Sequence, residues 1–95
     1  MDVNYYDFLT NLPNMTYFFE ISSARKETIA KNAGKPSVLF ITLHGLKAFN
    51  QKQGFSEGNH FLQAFAQLLA QHFDRENCCR LGGGHFSVIA DGTNI

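Results

Sequence analysis

Apolar positions recur in helical steps over two stretches of the chain and as a continuous run over a third. After Asn14, the residues Met15, Phe18, Phe19, Ser22 and Ile29 fall roughly on one side of a helix, which predicts a helix reaching about Asn32. Asn14 suits the N-cap, and Asn11 and Asn14 flank Pro13 in a turn-forming sequence. Gly34 and Pro36 close this helix, and Arg25, Lys26 and Lys31 in its second half complement the helix dipole. Residues 37–43, S-V-L-F-I-T-L, are apolar without alternation and rich in branched and aromatic side chains, which predicts a strand buried on both faces. His44-Gly45 ends it. Leu46, Phe49 and Asn50 begin a short helix stopping near Gly54, and residues 56–59 read as a turn.

Phe61, Leu62, Phe65, Leu68, Leu69, His72 and Phe73 then follow at three- and four-residue steps and predict a helix of about fifteen residues. Residues 74–77 are polar and break it. Residues 78–81 form a strand candidate, Gly82-Gly83-Gly84 a tight turn, and residues 86–90 a return strand, after which Asp91-Gly92 opens another turn. The order is helix, strand, two helices and a β-hairpin. This is an α/β (α+β) arrangement, with residues 37–43 as the central strand, flanked by the hairpin, and the helices packed on the sheet.

At 95 residues the chain, 1–95, makes a single domain, one that buries roughly 60–65% of the surface its unfolded form exposes. Apolar residues at 44% and charged ones at 17% are globular values, and ten Phe with no Trp make the core rich in aromatic rings. Eight basic residues balance eight acidic ones. A neutral chain lacks the excess of Lys and Arg that non-specific nucleic-acid binding needs, and no basic cluster addresses an anionic membrane. There is no apolar run long enough to span a bilayer, and the N-terminus has no signal-peptide pattern. Cys78 and Cys79 are adjacent, so on a strand their thiols point to opposite faces. Free thiols fit a reducing, cytoplasmic location, and no C-x-x-C offers a metal site.

Three segments together resemble the GGDEF family, the diguanylate cyclases of bacterial cyclic-di-GMP signalling. Asp7-Phe8-Leu9-Thr10-Asn11-Leu12-Pro13-Asn14 is similar to that family's opening D-x-L-T-G-L-P-N. Phe40-Ile41-Thr42-Leu43-His44-Gly45-Leu46-Lys47-Ala48-Phe49-Asn50 resembles F-I-D-L-D-x-F-K-x-I-N. Arg80-Leu81-Gly82-Gly83-Gly84-His85-Phe86 resembles the signature hairpin R-x-G-G-D-E-F, and Gly54 and Gly58-Asn59 fall where the family has Y-G-H-x-x-G-D. The resemblance runs from Asp7 to Ala90 and covers a little over half of a family domain. It implies the N-terminal portion of a nucleotide-cyclase, ferredoxin-like palm fold.

The resemblance also implies a chemistry against which these residues can be set. The family joins two GTP molecules, each 3′-hydroxyl attacking the other α-phosphate, so positioning and charge neutralisation carry the catalysis. Mg²⁺ prefers carboxylate oxygen, which the family draws from its D-x-D strand end and the acidic pair of the hairpin. Here those places hold Thr42, His44, Gly84 and His85, none of them a carboxylate. The expectation is a degenerate site with no catalytic residue, no metal and no cofactor, although active members use Mg²⁺; a zinc site on His44 and His85 is the lesser reading. The backbone N–H groups of Gly45 and Leu46 face a phosphate in this reading, Asn50 stands at a nucleotide-contacting position, and Asn59 replaces a guanine-reading Asp. The product-binding R-x-x-D falls on Phe73 and Glu76, which breaks it.

Plainer readings stand beside these. Gly82-Gly83-Gly84 is a hairpin turn, the Phe61, Phe65 and Phe73 stripe is core, His60 and His72 are helix-face residues, and Lys47, Lys52 and Arg25-Lys26 are solvated. The leading expectation is a catalytically inactive GGDEF domain acting as a regulatory or dimerisation module. The alternatives are a GTP-binding sensor without turnover and a residual diguanylate cyclase. The expected partners are GTP, bound weakly, a second copy of the chain, and a neighbouring sensor or EAL domain, with no nucleic acid and no membrane contact.

Overall fold

The computed structural model describes residues 4–94; Met1–Val3 and Ile95 lie outside the described residues. The first helix, α1, spans Met15–Lys31, and the Asn14 side chain caps it by accepting from the Tyr17 N–H at 2.9 Å. Its end folds back through the Gly34 N–H, which donates to the Ile29 carbonyl at 2.9 Å. Glycine is required at 34 because a Cβ there would run into the Asp91 carboxylate and Ile29. The strand β1 (Pro36–Thr42) follows, then α2 (Leu46–Gln53), α3 (Phe55–Phe73), β2 (Cys78–Gly82) and β3 (His85–Asp91), with single 3₁₀ turns at Arg75–Asn77 and Gly92–Asn94.

Only Gly54, at φ 91°, separates α2 from α3. The turn expected at residues 56–59 is instead the first turn of α3. Glu57 there suits the positive end of the helix dipole, and Gly58 is buried where Asn50 of α2 packs onto it. A Cβ at 58 would overlap the Asn50 carboxamide. Gly58→Ala is therefore expected to destabilise the chain by about 1–3 kcal/mol in urea unfolding, despite alanine's better helix propensity. Adding Asn50→Ala is expected to return part of that loss, which a double-mutant cycle reads as coupling.

The three strands form an antiparallel sheet in the order β1-β3-β2. Leu39 lies opposite Val88 and Ile41 opposite Phe86 across β1–β3, and Cys78 opposite Val88 across β2–β3, where a bulge interrupts the register between Arg80 and Gly82. The central strand is thus β3, not residues 37–43 as expected. Nor is β1 buried on both faces: its exposure alternates residue by residue. Leu39 and Ile41 pack on the main core, whereas Val38 is 42% and Phe40 76% exposed on the opposite face. A continuous apolar run reports composition, and the placement of α1 decides which of its residues are covered.

One face of the sheet builds the larger core, in which Phe86, Val88 and Cys78 meet Leu62, Ala66 and Leu69 of α3, together with Leu12. The other face packs Cys79 and Ile89 against Phe18 and Ile29 of α1. Met15, Phe19, Phe61 and Leu68 fall on the apolar faces by spacing but are exposed, and His72 is exposed with its ring against Phe73. The adjacent cysteines do point to opposite faces, and both are free and buried. The Cys78 thiol donates to the Leu69 and Asp74 carbonyls at 3.6 and 3.3 Å, and burial pushes its pKa up to about 12; burial also raises that of Cys79. Thiolate is the reactive form, so neither cysteine is expected to react with iodoacetamide at pH 8 until the chain is unfolded, as mass spectrometry would show. Among the described residues no helix is long and apolar enough to cross a membrane.

Candidate functional site

The expected site residues gather where the end of β1 meets the β2–β3 turn. Thr42 and His85 are paired across the two strands, and the Thr42 hydroxyl lies 3.2 Å from His85 Nδ1 in a hydrogen bond. One residue on, the Leu43 N–H donates to the Gly84 carbonyl at 2.9 Å, which ties the turn to the strand end. Gly83 takes φ 50° and Gly82 φ 132°, so the glycine-rich sequence is used to reverse the chain within the hairpin. Gly84 is held closely as well: a Cβ there would lie 3.2 Å from the Leu43 Cβ and 3.3 Å from Leu46 Cδ2. The return strand begins at His85, one residue earlier than expected.

His44 is exposed in the loop that follows β1. Gly45, at φ 83°, starts α2, and no side chain caps that end of the helix. Between them and α3 lies a cavity of about 160 Å³ lined by Leu43, His44, Gly45, Leu46, Phe49 and Phe61. Apart from the His44 ring its side chains are apolar. Asn59 is exposed on the first turns of α3. Asn50 Oδ1 is buried without a hydrogen-bond partner at the α2–α3 junction, beside Gly58. The strand end, the hairpin and the start of α2 are thus brought together, while Asn50 is drawn into helix packing. Among the described residues no three of His, Cys, Asp and Glu stand together as a metal-binding group.

The most connected polar pair near the hairpin was not singled out from the sequence. Arg80 Nη1 lies 3.2 Å from Asp7 Oδ1, with both side chains largely buried, and Arg80 Nε donates to the Gly83 carbonyl at 3.2 Å. Asp7 also accepts from the Thr10 N–H and hydroxyl at 2.9 and 2.7 Å. Asn11, at φ 61°, turns the segment there, where the family's opening motif has glycine. Arg80 therefore joins the opening segment to the signature turn, across 73 residues of sequence. The signal was present as one Asp and one Arg in two separate motifs, but only the fold pairs them. Glu76, at the expected product-site position, accepts from the Tyr6 hydroxyl at 3.0 Å, and Arg75 lies over the Tyr6 ring.

A family described as diguanylate cyclase, GGDEF domain, matches residues 4–95. The chain belongs to the GGDEF domain family. This links the domain to cyclic-di-GMP signalling. Diguanylate cyclase DgcS of Shewanella oneidensis is 29% identical over 91 residues, a match covering 92% of this chain and 30% of that protein. A sensory box/GGDEF family protein from Caulobacter crescentus superposes with a TM-score of 0.82 at 25% identity, over 93% of this chain and 57% of the other. The GGDEF domain of TpbB (YfiN) from Pseudomonas aeruginosa gives a TM-score of 0.78 at 29% identity, over 94% and 55%. This GGDEF chain thus spans about a third of the length of DgcS and little more than half of those solved structures. Its mixed α+β architecture is the corresponding part of the cyclase palm-like fold.

Proposed function

We propose that this chain is a degenerate GGDEF module, without cyclase activity of its own, that regulates cyclic-di-GMP signalling through self-association and through contacts with a neighbouring sensor or EAL domain. The observation that carries the reading is the Thr42–His85 hydrogen bond at the meeting of strand end and hairpin. In the resemblance this is where carboxylates hold Mg²⁺. Thr42 offers a neutral hydroxyl already engaged by an imidazole, Gly84 offers no side chain, and His44 and His85 offer nitrogen. This donor set does not fit a hard, oxygen-seeking dication. Leu43 and Leu46 also approach Gly84 closely, so that any side chain there would require them to give by a few tenths of an ångström. The test is GTP turnover with Mg²⁺ or Mn²⁺, measured on this chain. No cyclic-di-GMP above background is expected, and clear production would overturn the assignment.

A second reading, GTP binding without turnover, is favoured by the uncapped start of α2 at Gly45, where free backbone N–H groups suit a phosphate. Calorimetry with GTP should then show binding that weakens in Asn59→Ala, a substitution on an exposed helix face that leaves the fold intact. An intact domain with no binding heat would rule it out.

A further inference from the structure

Two neighbouring side chains of the opening segment hold two separate turns. Tyr6 donates its hydroxyl to the Glu76 carboxylate, 3.0 Å from Oε1 and 3.3 Å from Oε2, in the 3₁₀ turn that follows α3. The Arg75 guanidinium lies 4.8 Å over the Tyr6 ring, and the Tyr17 ring meets it edge-on at 5.5 Å. Asp7, the next residue, holds Arg80, which reaches on to the Gly83 carbonyl in the hairpin turn. The strand β2 runs between the two turns, and its Arg80 N–H donates to the Pro13 carbonyl at 3.2 Å. Tyr6 and Pro13 form an antiparallel bridge, and the Asp7 N–H donates to the Leu12 carbonyl at 2.7 Å, so residues 6–13 close on themselves as a loop. Leu12 and Pro13 are fully buried and anchor that loop, whereas Tyr5 is 40% and Phe8 95% exposed on its free limb.

We propose that residues 4–8 are a strap with a docked and a released position, and that release of Tyr6 from Glu76 loosens the glycine turn at the candidate site. The coupling runs through Arg80. Its guanidinium is planar, so the orientation that meets Asp7 through Nη1 also fixes Nε on the Gly83 carbonyl. When Tyr6 lets go, Asp7 moves with it, and the guanidinium loses the partner that sets its plane. Gly82 and Gly83, both at positive φ, then have other backbone conformations open to them. The turn carries the Gly84 carbonyl that accepts from the Leu43 N–H, and it leads into His85, bonded to Thr42. A partner that draws residues 4–6 away from Glu76 therefore changes the order of the strand end and hairpin, and by linkage a ligand that orders the hairpin tightens the strap. The strap supplies a route for the regulation in the reading above. It is read out by exchange and not by turnover, so the two fail separately.

The test is amide hydrogen exchange by NMR on this chain and on Tyr6→Phe, which removes one hydroxyl and keeps the ring. Circular dichroism should be unchanged. Exchange of the Leu43 N–H is expected to quicken about fivefold or more. The Gly92 N–H, bonded to the Lys35 carbonyl at the far end of the sheet, should keep its rate, which separates release of the strap from a general loss of stability. In an Arg80→Lys background, where the charge beside Asp7 is kept but the planar fork is gone, Tyr6→Phe should no longer alter Leu43. An unchanged Leu43 rate in Tyr6→Phe, equal quickening of Leu43 and Gly92, or the same quickening of Leu43 with and without Arg80→Lys would each overturn the proposal.

Discussion

Phe86→Ala is expected to cost about 3–5 kcal/mol in urea or thermal unfolding, the largest single effect of any substitution considered for this chain. Phe86 is fully buried, and its ring meets Phe65 edge-on at 5.1 Å between centroids. It stands on the central strand opposite both Ile41 and Arg80, so its removal opens a cavity where all three strands meet α3. A domain with a stability on the order of 5–10 kcal/mol would keep little margin. Phe40→Ala makes the control: the same chemical change at an exposed ring should shift stability by no more than about 0.5 kcal/mol in a monomeric sample. Equal losses in the two variants would show that the core is placed wrongly.

Arg80→Ala should be the next most damaging, at about 2–4 kcal/mol, because it leaves the Asp7 carboxylate largely buried without its cation. The same pair sets an acid dependence. Burial works to raise the pKa of Asp7, but the hydrogen bonds from Thr10 and the charge of Arg80 outweigh it, and the net shift is downward from the ordinary value of 3.8. A carboxyl whose pKa is lower in the folded state contributes stability that is full above the unfolded value and is lost as pH falls through the folded one. Unfolding midpoints measured between neutral pH and the pKa region should therefore fall on acidification. Part of that fall should be absent in Asp7→Asn, which is less stable at neutral pH. An Asp7→Asn chain that loses as much stability on acidification as the unaltered one would show that the pair does not carry this dependence.

Helices and turns were the most legible parts of this chain. The Asn14 cap, the Gly34 exit from α1, the short α2 after Gly45 and the glycine turn of the hairpin are local features, and each depends on residues within a turn or two of one another. Glycine at 54 was enough to separate two helices, whereas the polar run at 56–59 was not enough to break one. Helix propensity and the dipole allow Ser, Glu, Gly and Asn in a first turn, and the packing of Asn50 on Gly58 settles the matter. The candidate site was legible as a set of positions, because it is carried by motifs. Its geometry was not, since nothing in the sequence says that Thr42 and His85 share a hydrogen bond or that Asn50 turns into the α2–α3 junction.

By itself, the sequence determined the family, the element order, the opposed faces of Cys78 and Cys79, and the absence of carboxylates at four named positions. These are matters of residue identity and of short-range periodicity. Tertiary structure alone decided that β3 and not β1 is the central strand, that Phe40 and Phe19 are exposed, and that Asp7 reaches Arg80. The physical reason is the same in each case. Burial and pairing depend on which distant element lies over a residue, and an apolar run such as S-V-L-F-I-T-L reads alike whether its faces and edge are covered or open.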